Sequence, residues 1–97
     1  MAEISLKPGV LDVNDVPIGY ETSFAIIVPG EEKYFAYIKS SEKMEPLDVT
    51  RDGERVVVTI PEDATKSVGV GSHRWRMERV ESKKGYPFLA GNFVVVD

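Results

Sequence analysis

Apolar residues recur at every second position over short segments of the chain, which is the spacing of half-buried β-strands. Residues 20–28 alternate most clearly, with Phe24 and Ile26 on one side and serine and alanine on the other. Residues 34–39 have apolar or aromatic groups on both sides. This strand is therefore expected to be covered on both faces or to present Tyr34 or Tyr37 outward.

The last third of the chain predicts a hairpin of residues 73–80 and 86–96, joined by the basic turn 81–85. If Val80 faces Tyr86, the register places Trp75 opposite Gly91. The indole would then cover a residue without a side chain, an arrangement that shields exposed backbone and fixes register. The same register pairs Met77 with Leu89 and His73 with Phe93.

A second hairpin is predicted at Asp52-Gly53, since this dipeptide tolerates the positive φ angles of a type I′ turn. That turn would pair Arg51 with Glu54, Val49 with Val56 and Leu47 with Val58.

The remaining segments give weaker signals. Residues 61–68 are predicted to form a loop with at most one helical turn, and residues 4–6 and 10–13 are weak strands separated by Pro8-Gly9. No segment keeps a helical period for three turns. With 97 residues, the chain fits a single domain spanning residues 1–97. The predicted fold is all-β, an immunoglobulin-like antiparallel β-sandwich of about seven strands.

Composition narrows the possible chemistry. The chain has no cysteine, so disulfides, thiolate zinc sites and cysteine nucleophiles are excluded, and its single histidine excludes an all-histidine metal site within one chain. The formal net charge of −4 argues against nucleic acid as a general partner, because phosphate neutralisation needs a basic face. No cofactor is predicted.

The N-terminal residues lack the basic start and apolar run of a signal peptide, and no stretch is long enough to span a bilayer. The expected location is the cytoplasm where the chain is made, with no membrane partner, or an assembled particle into which the chain is packaged.

Two features have both a structural and a chemical interpretation. His73 could act as a base, but no nucleophile or orienting partner accompanies it in sequence, which favours a structural histidine. Residues 12–17 alternate oxygen-bearing side chains that could converge on calcium, and they resemble the inter-repeat calcium linker of cadherins except at Val16. Asp and Asn before a proline equally describe an ordinary turn.

Charged clusters also admit two interpretations. Arg74 and Arg76 share one face of their strand, and Arg79 lies on the other. Together with Lys83 and Lys84 they form either a solvated face or a contact for an anion or a protein. The acidic pairs Glu31-Glu32 and Glu62-Asp63 stand in predicted loops, and adjacent residues do not show the facing carboxylates that a glycosidase requires.

The C-terminal half contains, in order, residues 61–65, Gly71, the Arg74-Trp75-Arg76-Met77-Glu78 strand, a basic turn, and the Leu89-Ala90-Gly91-Asn92-Phe93-Val94-Val95 strand. This order of motifs is similar to that of small β-sandwich domains in phage and prophage tail and baseplate proteins. It covers roughly 40 residues, and the chain departs from those proteins in its first third. The resemblance implies a structural role without catalytic residues.

The sequence therefore predicts a non-catalytic structural or protein-interaction module, expected to be a phage or prophage virion component. The alternative is a calcium- or carbohydrate-binding module on the same sandwich. Expected partners are other structural proteins or further copies of the chain. If the C-terminal strand lies at a sheet edge, its unpaired backbone would offer a docking site. Four aromatic residues would extend that edge into a contact surface: Tyr34, Tyr37, Tyr86 and Phe88.

Overall fold

The structure, a computed structural model, describes residues 9–41, 43–80 and 87–97. These residues form eight β-strands and one short helix, which confirms the all-β class. The elements are β1 Gly9–Val10, β2 Val13–Pro17, β3 Thr22–Ile27, β4 Tyr34–Lys39, β5 Met44–Asp52, β6 Arg55–Ile60, α1 Glu62–Val68, β7 Gly71–Arg79 and β8 Pro87–Val96. The weak strand at residues 4–6 and the basic turn 81–85 lie outside the described residues.

The strands follow the order β1-β8-β7-β4-β5-β6-β3, and β2 also pairs with β8. Both β1 and β2 run parallel to β8, with Val13 opposite Phe93, while the other pairs are antiparallel. The expectation of antiparallel pairing throughout is therefore wrong for β1 and β2. A parallel pair between the two ends of the chain has no turn between its strands, so the sequence offers no local sign of it.

Strand β5 curls the sheet. Its first residues, Met44 to Leu47, pair with β4, whereas Asp48 to Asp52 pair with β6. The curl brings β3 across from β7, where the rings of Phe24 and Trp75 meet edge to face with 5.8 Å between centroids. Such T-shaped contacts are a favoured aromatic geometry.

The core lies inside this curl and is built from alternate residues of the central strands. Trp75, Met77 and Phe93 are completely buried, as are Ile38 of β4 and Ile60 of β6. Because side chains alternate across a strand, the residues between them point away from the core. The apolar face predicted for residues 20–28 is also observed, since Phe24 and Ile26 pack against this core.

Three predicted pairs of the tryptophan strand are confirmed, although the register shifts by one residue between Met77 and Glu78, on the side toward the turn. Trp75 lies opposite Gly91, Met77 opposite Leu89 and His73 opposite Phe93. The predicted facing of Val80 and Tyr86 includes a residue outside the described residues.

Leu11 explains why position 91 is a glycine. A Cβ atom on Gly91 would stand 2.2 Å from the Leu11 carbonyl oxygen and 2.8 Å from its carbonyl carbon. The Trp75 indole N–H donates to that same oxygen over 2.7 Å. The N-terminal segment thus occupies the space above Gly91, and the indole reaches this segment as a hydrogen-bond donor.

The second hairpin is shifted by one residue from its prediction. Asp52 pairs with Arg55 and Val49 with Val58, so the two loop residues are Gly53 and Glu54. Only Gly53 has a positive φ, 63°, which is the combination of a type II′ turn. The Arg51–Glu54 and Val49–Val56 pairings are therefore wrong. Leu47 pairs with Ala36 of β4 and not with Val58, because β5 changes partner after Leu47.

Residues 61–68 contain more helix than predicted. The helix α1 has seven residues, about two turns, instead of one. Thr65 is fully buried and anchors it: its hydroxyl donates to the Glu62 carbonyl oxygen and accepts the backbone N–H of Gly19, over 3.0 and 2.9 Å. A tertiary contact stabilises this helix, which explains why periodicity did not reveal it.

We predict that Gly91→Ala lowers the free energy of unfolding by about 1 to 3 kcal/mol, because the new methyl group cannot coexist with the Leu11 carbonyl in its present position. Urea denaturation measures this. Asn92→Ala is the matched control on the next, exposed position, where we expect a change within about 0.5 kcal/mol. Equal stability of Gly91→Ala and the wild type would show that Leu11 does not pack against Gly91.

Candidate functional site

The side of the sheet that faces away from the core forms a continuous surface on β5, β4 and β7, which we call the outer face. It follows from strand alternation, since Ala36, Ile38, Trp75 and Met77 of the same strands are buried on the opposite side. We define the outer face by Phe35, Tyr37, Met44, Pro46, Arg76 and Glu78, and Lys39 and Arg74 continue the same side of the sheet at one end.

Cross-strand pairing sets the arrangement of the outer face. Tyr37 stands at its centre, opposite Arg76 on one side and Pro46 on the other, and Phe35 lies opposite Glu78. The rings of Phe35 and Tyr37 are nearly parallel, at 19°, with centroids 6.2 Å apart. Phe35 remains 43% exposed and Met44 59% exposed, so exposed apolar side chains stand on both sides of the half-buried Tyr37.

A polar network fixes the ring of Tyr37. Its hydroxyl donates to Glu78 Oε2 over 2.8 Å, and Arg76 Nε stands 3.8 Å from the same oxygen. Burial raises the pKa of the Tyr37 hydroxyl. The hydrogen bond to Glu78 raises this pKa further, because only the protonated hydroxyl can donate to the carboxylate. The charge of Arg76 acts in the opposite direction. The hydroxyl is thus neutral and held in one orientation at ordinary pH.

The four predicted contact residues do not share one surface. Tyr37 lies on the outer face, but Tyr34 is only 7% exposed and points into the core, where its ring contacts Phe88 with centroids 4.8 Å apart. The guanidinium of Arg51 lies over the Tyr34 ring, 5.8 Å from its centroid. Tyr86 lies outside the described residues.

Phe88 turns inward because of a β-bulge. Met77 pairs with Leu89 and Glu78 with Pro87, so Phe88 is the extra residue of β8 at this point. The bulge ends the alternation and lets Phe88 and Leu89 both pack against the core. Sequence alternation alone would have placed Phe88 on the outer face.

Strand β8 is not a free edge. It pairs with β7 on one side and with β1 and β2 on the other, so the hypothesis of docking along its unpaired backbone is wrong. The N-terminal strands cover the edge that would have been exposed.

Sequence reasoning missed Phe35 and Met44. The available signal was the alternation within β4: once Ala36 and Ile38 are assigned to the core, Phe35 and Tyr37 must face away from it. Met44 joins them only through the pairing of β5 with β4, opposite Lys39.

His73 has a structural contact. Its Nε2 donates to the Gly69 carbonyl oxygen over 2.9 Å and ties β7 to the end of α1.

The oxygen-bearing stretch at residues 12–17 is a bulged strand and not a simple turn. Asp12 Oδ1 accepts the backbone N–H of Asn92 over 2.9 Å, and the register against β8 shifts between Val13 and Val16. Asp15, at this shift, has a φ of 58°. Within residues 9–41, 43–80 and 87–97, no group of three or more acidic, histidine or cysteine side chains is placed to hold a metal ion.

The arginines of β7 lie on the sides of the strand that alternation predicted. Arg74 and Arg76 share the side of β7 that faces away from the core, while Arg79 forms an ion pair with Glu32 over 3.3 Å. Lys83 and Lys84 lie outside the described residues. Of the acidic pairs, Glu31-Glu32 is exposed before β4 and Glu62-Asp63 begins α1, so each pair stays on one element.

Comparison with known proteins finds no match for this chain among protein-family models, curated proteins or solved structures. In the part of the chain that the structure describes, no helix has the length and apolar character needed to cross a membrane.

We predict that Tyr37 ionises above the ordinary pKa of a tyrosine and that Glu78→Gln brings this pKa down, because the variant removes the negative charge beside the phenolate. Arg76→Gln should raise the pKa. The folded-state pKa lies above the unfolded value, so the stability from Tyr37 is complete below the unfolded pKa and is lost as pH rises through the folded one. Tyrosine ring NMR shifts across a pH series measure this. An unchanged Tyr37 titration in Glu78→Gln would contradict the hydrogen bond.

Proposed function

We propose that this chain is a non-catalytic protein-interaction module that docks onto another structural protein through its outer face. The observation that carries the proposal is the chemistry of that face: a stacked aromatic pair of exposed Phe35 and half-buried Tyr37, together with exposed Met44, beside Arg76. Aromatic residues, methionine and arginine are the residues enriched at protein interfaces.

Two side chains of the outer face have fixed orientations, and fixed side chains lower the entropic cost of forming an interface. Tyr37 and Arg76 are held by Glu78 before any partner arrives, so little side-chain entropy is lost on binding. The exposed apolar surface of Phe35 and Met44 is removed from water on contact. Lys39 and Arg74 stand beside this surface. A fitting partner therefore presents apolar side chains framed by carboxylates.

The strand order supports an immunoglobulin-like sandwich as the scaffold. Strands β3, β6 and the second half of β5 are hydrogen-bonded to one another, and β4, β7 and β8 form a second set. If β1 and β2 count together as the first strand, these sets are the second, fifth and fourth strands and the third, sixth and seventh, which is how immunoglobulin-like domains divide their strands between two sheets. The buried tryptophan departs from that pattern, since here it stands on β7.

The motifs of the C-terminal half support a role in a virion or prophage tail assembly, on the resemblance described above. In such an assembly the partner is a structural protein encoded by a neighbouring gene. The same fold serves many functions, so the function has to be established from the outer face and the partner that binds it.

Binding to purified neighbouring structural proteins tests this function. We expect Phe35→Ser combined with Met44→Ser to weaken the complex by at least about tenfold, because the variant removes the two most exposed apolar side chains of the outer face. The control is Val10→Ser combined with Ile27→Ser, which removes exposed apolar side chains from β1 and β3 at 79% and 68% exposure. Titration calorimetry gives both affinities.

Light scattering over a concentration series adds the second arm, in which copies of the chain are the partner. The proposal fails if the control pair weakens binding as much as the outer-face pair. It also fails if the protein is a strict monomer that ignores its neighbours and instead binds a defined sugar or calcium.

A further inference from the structure

A basic cleft lies at one end of the sheet, between the β4–β5 turn, the end of α1 and the start of β7. Its volume is about 720 Å³. The described residues that line it are Lys39, Ser40, Ser41, Lys43, Ser67, Val68, Ser72, His73 and Arg74. Four of them carry hydroxyl groups, three are permanent cations at neutral pH, and none is acidic.

The cations in this basic cleft stand against one another. Lys39 lies directly opposite Arg74 in the β4–β7 register, and like charges in that position destabilise a sheet. Their other cross-strand neighbours are Met44 beside Lys39 and Asn92 beside Arg74, neither of which carries a charge. The chain as a whole has a net charge of −4, so this local excess of positive charge runs against its composition. An anion held between the two side chains would remove the repulsion.

The walls of the basic cleft are tied together by hydrogen bonds. The backbone N–H of Ser40 donates to the Lys43 carbonyl oxygen over 2.9 Å, which closes the turn that presents Lys43. Lys43 Nζ stands 3.5 Å from Ser67 Oγ at the end of α1. His73 donates to Gly69 and joins the same helix end to β7. Cations and hydroxyls from three elements thus converge on one space.

We propose that the basic cleft binds a small phosphate-bearing anion with two linked phosphate groups. The Lys39–Arg74 pair provides one positive centre and Lys43 with Ser67 provides a second. Ammonium and guanidinium groups form charge-assisted hydrogen bonds to phosphate oxygens, and serine hydroxyls satisfy the oxygens that remain. This inference goes beyond the proposed docking function, because it leaves Phe35, Tyr37 and Met44 without a role.

Titration calorimetry with pyrophosphate tests the proposal, and a parallel titration with adenosine diphosphate distinguishes an inorganic anion from a nucleotide as the ligand source. We expect saturable binding of at least one of the two with a Kd below about 1 mM. Lys39→Gln combined with Arg74→Gln should weaken it at least about tenfold. Lys33→Gln combined with Arg55→Gln removes the same charge from exposed positions outside the cleft and should leave binding within about twofold.

Thermal unfolding provides a readout that does not depend on calorimetric heat. Without ligand, Lys39→Gln should unfold at the same temperature as the wild type or higher, because the like-charge contact is relieved. The wild type should gain stability with pyrophosphate by mass action, and Lys39→Gln should lose most of that gain. Backbone NMR shifts in the wild type should change at Ser40, Ser67 and Ser72.

The proposal would be overturned by no binding of either ligand, by an equal loss of binding in the control pair, or by stabilisation by sodium chloride at matched ionic strength as large as that by pyrophosphate. NMR changes confined to residues outside the cleft would overturn it as well.

Discussion

The hydrogen bond from the Trp75 indole to the Leu11 carbonyl oxygen is the contact on which the rest of this fold depends. A completely buried indole needs an acceptor, and an unsatisfied buried N–H costs about 1 to 3 kcal/mol. Leu11 can provide that acceptor only because Gly91 has no side chain. The backbone of Leu11 in turn donates to the Ala90 carbonyl oxygen over 3.0 Å, which attaches the N-terminal segment to β8.

This contact places the chain's first described strands where they are needed. With Leu11 fixed above Gly91, β1 and β2 pair with β8 on either side of it and cover an edge that would otherwise be open. The tryptophan also receives Phe24 from β3 across the curl. One side chain thus joins the N-terminal segment, the central strands and the far end of the sheet.

The proposed functions occupy the side of the sheet that this core leaves free. Because Ile38 and Trp75 point inward, Tyr37 and Arg76 point outward, and the outer face follows directly from core alternation. The basic cleft lies at the end of the same strands, where the β4–β5 turn and α1 rise beside Lys39 and Arg74. Protein docking and anion binding would therefore use adjoining surfaces that meet at Lys39 and Arg74.

Sequence patterns predicted those parts of the fold that depend on neighbouring residues. The bounds of β4 and the register of Trp75 against Gly91 follow from alternation and from a turn between adjacent strands, and both are observed. The same reasoning placed the second turn at Asp52-Gly53, but the loop residues are Gly53 and Glu54. Moving the loop by one residue changes each cross-strand partner by two positions, for example from Val56 to Val58 opposite Val49. A change of two positions keeps the same side chains on the core face, so the alternation pattern could not distinguish the two turns.

The other features of the fold and of the candidate sites depend on contacts between residues far apart in sequence, which local sequence patterns do not predict. The parallel pairing of β2 with β8 joins residues 80 positions apart, as in the bond between Asn92 and Asp12. The inward turn of Phe88, which brings its ring against Tyr34, depends on one bulge in β8. The basic cleft gathers residues from three elements, and its cations read along the chain as ordinary surface charges.

Hydrogen exchange of the Trp75 indole N–H, followed by NMR together with the backbone amide of Leu11, tests the central contact most directly. If this bond holds the N-terminal segment to the core, both protons exchange only through global unfolding, at the same free energy as the amides of β7. Fast exchange of the indole and of Leu11, while the β7 amides stay protected, would show that the N-terminal segment is not part of the core.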